Sequence, residues 1–148
     1  MGEVNFFLED IKFVLRHKPQ IKSWLNRIAK REGARILSIN YIFCSDDYLY
    51  KMNVQYLKHR TLTDIITFDH SESQLTLEAD IFISIDRVKE NATNRGESFS
   101  NELSRVIVHG LLHLVGFKDK TKQQKALMRL KEEESLLSLN VPRGTGKG

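Results

Sequence analysis

The 148-residue sequence has one cysteine, Cys44, two prolines, Pro19 and Pro142, and one tryptophan. A single thiol excludes an intramolecular disulfide and a cysteine-based zinc cluster. Cys44 lies in an apolar stretch and reads as a small buried hydrophobe. No apolar run approaches the roughly 18 residues that mark a transmembrane helix, so no membrane partner is expected. The first residues include acidic side chains and lack a basic start followed by a long apolar core. No secretory signal is read there, and a cytoplasmic location is expected. An excess of charge of one sign is also small. Lys plus Arg number 23 against 19 Asp plus Glu, a net +4 that permits a nucleic-acid partner without demanding one.

Apolar residues make up 41% of the chain and charged residues 28%, the profile of a folded globular protein. The length fits one domain. No repeat or interior linker interrupts the sequence, so the domain is expected over residues 1–140, with a flexible Gly-rich and charged tail over 141–148.

Residues 4–8 read as a short strand. Ile21, Trp24, Leu25 and Ile28 recur at helical spacing and predict an amphipathic helix ending near Gly33. Arg35–Cys44 reads as a strand. Ser45 caps a helix expected over 46–56, with Leu49, Met52 and Tyr56 inward. Two strands are expected over 64–68 and 75–84, the second alternating through Ile81, Ile83 and Ile85. Asp86 is expected to cap a short helix that stops before Gly96. A long helix over 98–115 is apolar on most sides, as a central helix is. Thr121 and Gln124 match the capping box of a last helix. The order βαβαββααα predicts a single α+β domain. Its small mixed sheet is covered by helices, and the histidine-bearing helix is central, a zincin-like arrangement.

That helix carries the chemistry. His109 and His113 are four residues apart, which puts both imidazoles on one helical face about a turn apart. Two core histidines bonded to carbonyls would satisfy the same spacing. Gly116, however, can end the helix in the left-handed conformation. Asp119 then follows, where a carboxylate can fold over the open side of the pair. Two histidines and one carboxylate leave a fourth position for water, as in catalytic zinc sites. A His-Glu-x-x-His peptidase places its general base directly after the first histidine; here that position is Gly110.

The run His109-Gly-Leu-Leu-His113-Leu-Val-Gly116-Phe117-Lys-Asp119 resembles the signature HGxLHLxGYDH of the YbeY family of ribosomal-RNA maturation factors. Asn53-x-x-Tyr56 followed by Thr63-Asp64-Ile65-Ile66-Thr67-Phe68 resembles that family's LNxxYR…TDVLSF segment. The stretch from Asp80 to Val88 resembles its GDIxISxxxV segment, and Glu102-Leu103 precedes the histidine helix as in the family. The likeness spans about residues 45–138. It implies a single-strand-specific, metal-dependent endoribonuclease acting in ribosomal-RNA maturation and ribosome quality control. Zinc would sit on His109, His113 and Asp119, and single-stranded or ribosomal RNA, in ribosomal particles, would be the partner.

Two positions depart from the pattern. Asp119 stands where the family has a third histidine, which makes the metal assembly one unit less positive and its water less acidic. The harder oxygen ligand also widens tolerance for other divalent ions. Leu57 stands where the family has an arginine thought to hold substrate phosphate. Lys58, His59 and Arg60 are the nearest replacement cations, with His59 and Arg60 as catalytic candidates. From Gly116 to Lys131 the cations are Lys118, Lys120, Lys122, Lys125, Arg129 and Lys131. Lys118 and Lys120 are the substrate-binding candidates. Glu132, Glu133 and Glu134 follow at once, as on a solvated helix face. Attack by an activated water or by the RNA's own 2′-hydroxyl both fit. A metallohydrolase of another class, such as a peptidase, and a ribosome-assembly module with a structural metal are the alternatives.

Overall fold

A computed structural model describes residues 2–58, 62–73 and 75–141. Its elements follow the expected order: β1 (Glu3–Leu8), α1 (Lys18–Arg31), β2 (Arg35–Cys44), α2 (Asp46–Met52), β3 (Ile65–Asp69), β4 (Thr76–Ser84), α3 (Ile85–Arg95), α4 (Phe99–Leu114) and α5 (Lys122–Leu137). The sheet runs β1-β2-β4-β3. β1, β2 and β4 are parallel, and β3 joins the edge antiparallel to β4. This is the mixed α+β sheet expected from the sequence.

A bulge sets the two faces of β2. Leu37 is an extra residue between Ile36, opposite Leu77, and Ser38, opposite Glu78. Side chains alternate along a strand, so one inserted residue shifts the inward set from even to odd positions. Ile36 is buried before the bulge; Ile39, Tyr41 and Phe43 are buried after it, and Leu37 is exposed. This inward face joins Ile81 and Ile83 of β4 to α1 and α4 in the main core. The phenolic hydroxyl of Tyr41 donates to the Ile107 carbonyl of α4 at 2.8 Å, and the Trp24 indole of α1 donates to the Ser135 carbonyl of α5 at 2.7 Å.

The opposite face is half covered. Cys44, Leu49 and Ile66 form a small second core beneath α2, with Tyr48, Phe68 and Phe82 against it. Towards the other end of the strands that face carries a polar ladder. Asn5 donates to Asn40, Asn40 to Asp80, and Asp80 meets His70, at 3.0–3.1 Å.

Two local expectations are corrected. The helix expected through residue 56 ends as α2 at Met52 and widens into a π-helical turn, Asn53–Leu57. The wider turn breaks the α-helical phase. Asn53 is therefore the buried residue, and Tyr56, expected inward, is 58% exposed. The cap of α3 is Ser84, whose hydroxyl accepts from the Arg87 amide, so Asp86 sits in the first turn. Its carboxylate accepts instead from the Asp46 amide. Ile85 accordingly belongs to α3, not to the strand.

Candidate metal centre and cleft

α4 is capped at its start by Ser98 and packs against the sheet through Gly110. A Cβ at Gly110 would stand 3.0 Å from Ile81 Cδ1 and 3.2 Å from Ile65 Cδ1. The helix therefore lies close to the sheet there, and a side chain at this position would have to displace the Cδ1 methyls of Ile81 and Ile65.

The end of α4 builds the centre. The Gly116 amide donates to His113 and the Phe117 amide to Leu112, each at 3.0 Å, with Gly116 at φ 112°. These are the paired bonds of a Schellman motif, which only a residue at ease with positive φ completes. The chain reverses and brings Asp119 back over the helix. Asp119 Oδ2 lies 3.4 Å from His109 Nε2 and 3.3 Å from His113 Nε2. The two imidazoles stand edge to face with centroids 4.6 Å apart. One donor atom from each residue falls within 4.8 Å of the others. A tetrahedral ion with bonds of about 2.0–2.1 Å separates its ligands by roughly 3.3 Å, so the donor set fits a small divalent cation. The side chains of His113 and Asp119 are 32% and 40% exposed, which leaves an approach from solvent.

The cluster opens into a cleft of about 1170 Å³ between the edge strand β3 and helices α4 and α5. Lys120, Lys125 and Arg129 line it from the α5 side, Asp64 and Thr67 from the β3 side, and Arg95 from the end of α3. Of the basic stretch, then, Lys120, Lys125 and Arg129 reach the cleft. Lys118 and Lys122 are exposed but do not line it. Lys131 turns elsewhere, pairing with Glu32 at 3.2 Å and lying over Phe117. Leu57 lines the cleft, and Lys58 is exposed at φ 59°. His59 and Arg60 lie outside the described residues.

Charges buried behind the histidines were not legible as site residues. Glu132, read as solvated, is buried, and its Oε2 accepts from His109 Nδ1 at 2.6 Å. Arg105 is buried and faces Glu132 at 3.4 Å, Glu133 at 2.8 Å and Glu102 at 3.5 Å. Glu102, fully buried, in turn accepts from Arg95 at 2.8 Å. Burial by itself lowers the pKa of His109. The Glu132 hydrogen bond and charge, with Asp119 and Asp64, outweigh it and raise His109 above its ordinary value. Burial raises the Asp64 carboxyl, although His109, its own backbone amide and Arg95 oppose the shift. Burial likewise raises Glu102 against Arg95 and Arg105.

A family model described as Endoribonuclease YbeY matches residues 5–140. This chain belongs to the YbeY family. Two relatives named Endoribonuclease YbeY are similar along nearly their full lengths. The one from Cytophaga hutchinsonii is 56% identical over 133 residues, covering 90% of this chain and 93% of its own. The one from Christiangramia forsetii is 46% identical over 140 residues, covering 95% and 96%. The solution structure of TM1509 from Thermotoga maritima matches with a TM-score of 0.63 at 25% identity, covering 90% of this chain and 86% of that one. The YbeY match extends N-terminal to the signature segments and takes in most of β1 and all of α1.

Two patterns in this YbeY chain could have marked these charges as inward, although not as part of the site. Met128, Glu132, Ser135 and Leu136 form the buried stripe of α5, so Glu132 occupies an inward position of an amphipathic helix. Glu102 and Arg105 are charges of opposite sign one turn apart in a helix otherwise apolar on most sides.

Proposed function

We propose that this chain is a single-strand-specific, metal-dependent endoribonuclease that matures ribosomal RNA and serves ribosome quality control on ribosomal particles in the cytoplasm. Zinc is the metal, and His109, His113 and Asp119 are its ligands. The unit responsible spans residues 1–140; of the tail expected over 141–148, residues 142–148 lie outside the described residues. One observation carries the reading: three donors at ligand spacing sit in an open cleft with lysine and arginine on one wall. The YbeY relatives support the class of reaction.

A divalent ion bound there would lower the pKa of a water and polarise a phosphoryl oxygen. The chain's own groups do the rest. Lys120, Lys125 and Arg129 draw and orient a phosphodiester along the α5 wall of the cleft. Arg95, tethered to Glu102, offsets charge on the phosphoryl oxygens. Asp64 faces the same space from β3 and is available to hold a proton.

A peptidase of the His-Glu-x-x-His type carries its base at position 110, where this chain has Gly110 packed against Ile81 and Ile65. A purely structural metal would be closed by protein ligands, whereas His113 and Asp119 are partly exposed. The deciding experiment uses protein loaded with zinc and freed of contaminating nucleases, given paired and unpaired RNA of the same sequence. Cleavage confined to unpaired RNA and lost in His113→Ala is expected. Equal cleavage by His113→Ala, or none by the wild-type protein, overturns the assignment.

A further inference from the structure

The two histidines are held differently. Glu132 Oε2 stands 2.6 Å from Nδ1 of His109, and both side chains are largely withdrawn from water, at 7% and 19% exposure. Among the described residues, no side chain is hydrogen-bonded to Nδ1 of His113, which is 32% exposed. Behind Glu132 stands Arg105, whose Nη1 faces Glu132 Oε1 at 3.4 Å and Glu133 Oε1 at 2.8 Å. Glu132 thus has one oxygen on a histidine of the centre and the other on a buried guanidinium.

From this geometry we propose that Glu132, braced by Arg105, is the positioning residue of the metal centre, and that it makes His109 the anchoring ligand and His113 the adjustable one. The inference rests on the metal centre of the proposed function but not on RNA cleavage. A carboxylate can only accept from a neutral imidazole. The proton of His109 must therefore sit on Nδ1, which leaves the lone pair of Nε2 on the side of Asp119 Oδ2, 3.4 Å away. A carboxylate on the far nitrogen fixes ring orientation and raises ligand basicity, and its loss costs about 10–100-fold in metal affinity. Arg105 acts through Glu132: it offsets a buried negative charge and fixes the second oxygen, so the carboxylate cannot rotate away. The pair joins α4 to α5 across 27 residues of sequence, so the docking of α5 sets the aim of His109.

The test measures zinc affinity by competition against a chelating dye, using the full chain and no RNA. Glu132→Gln, which removes the charge, is expected to weaken zinc binding by about 10–100-fold. Glu133→Gln, which removes the exposed partner of the same guanidinium, should change it less than about threefold. Arg105→Lys should weaken binding in the wild-type background and add little in the Glu132→Gln background, since both changes break one line of contact. If Glu132→Gln does not fold, Glu132→Asp carries the test, because its shorter side chain cannot span the 2.6 Å contact from the same backbone. On the unsubstituted metal-free protein at a pH where His109 is neutral, nitrogen-15 resonances should show the His109 proton on Nδ1. Unchanged affinity in the Glu132 variant, additive effects of Arg105→Lys, or the proton on Nε2 would each overturn the assignment. Absence of RNA cleavage with these results intact would instead count against the nuclease reading.

Discussion

Either side of the sheet buries a different kind of material. Beneath α2 the small core is Cys44, Leu49 and Ile66, with Tyr48, Phe68 and Phe82 stacked or edge-on against one another. On the other side, α4 and α5 bury Glu102, Arg105 and Glu132 beside the main apolar core. The two Glu102 and Arg105 atoms facing each other, Oε1 and Nε, stand 3.5 Å apart and lack a hydrogen-bond partner. Buried charge is expensive, and a hydrophobic replacement of equal volume is often as stable. Among the described residues it is concentrated where the cleft opens, and the small core beneath α2 is built of apolar and aromatic side chains. Apolar packing holds both sides, with the larger core on the α4–α5 side, and that side also carries buried charge beside His109 and Arg95.

That contrast can be broken from either side. The largest effect is expected from Arg105→Leu, which takes the buried guanidinium from Glu102 and Glu132 and leaves their carboxylates, among the described residues, only Arg95 and His109 as partners. Urea denaturation should show a loss of about 3–5 kcal/mol, the usual cost of removing one partner of a buried pair. A loss below about 1 kcal/mol would mean that water reaches the network. On the α2 side, Leu49→Ala removes a fully buried side chain from a purely apolar cluster. It should cost about 3 kcal/mol of stability while leaving zinc affinity unchanged, because the cavity is separated from the histidines by the sheet.

A smaller effect follows from the raised pKa of His109. In metal-free protein, its interactions with Glu132, Asp119 and Asp64 contribute stability fully below the ordinary value of 6.5. That contribution is lost as pH rises through the higher folded value. Zinc needs the neutral imidazole, so its stabilisation should grow over the same interval in which the metal-free contribution fades. Melting temperatures with and without zinc, measured across that range, check both signs. The smallest effect is chemical silence. Burial, then the charges of Asp10, Glu9, Asp46 and Asp86, push the Cys44 thiol up to about 12. A thiol reagent at pH 8 should leave Cys44 unlabelled in the native protein and label it in urea.

Much of the architecture was legible because its causes are short-range. The strand and helix order, the capping box at Thr121 and the glycine that ends α4 all follow from patterns within a few residues. The local misses share one reason. Tyr56 was assigned by continuing an α-helical period through a segment that widens to a π turn, and the cap of α3 lies two residues before the aspartate assigned to it. Both errors propagate a local phase past the point where it changes.

The donor set belongs to the same legible class. His109 and His113 are one turn apart, and Asp119 returns through a Schellman turn only a few residues later, so spacing alone could bring the three together. The sequence by itself thus determined the fold class and which candidate donors lie together. Only the tertiary structure decided that Glu132 is buried against His109 from 23 residues away, that Arg105 braces it, and that Lys120, Lys125 and Arg129 line the cleft while Lys118 and Lys131 do not. The physical reason is that α5 must dock before its charges have a surrounding. Local periodicity states which residues share a helix face, and packing against α4 and the sheet states what that face meets.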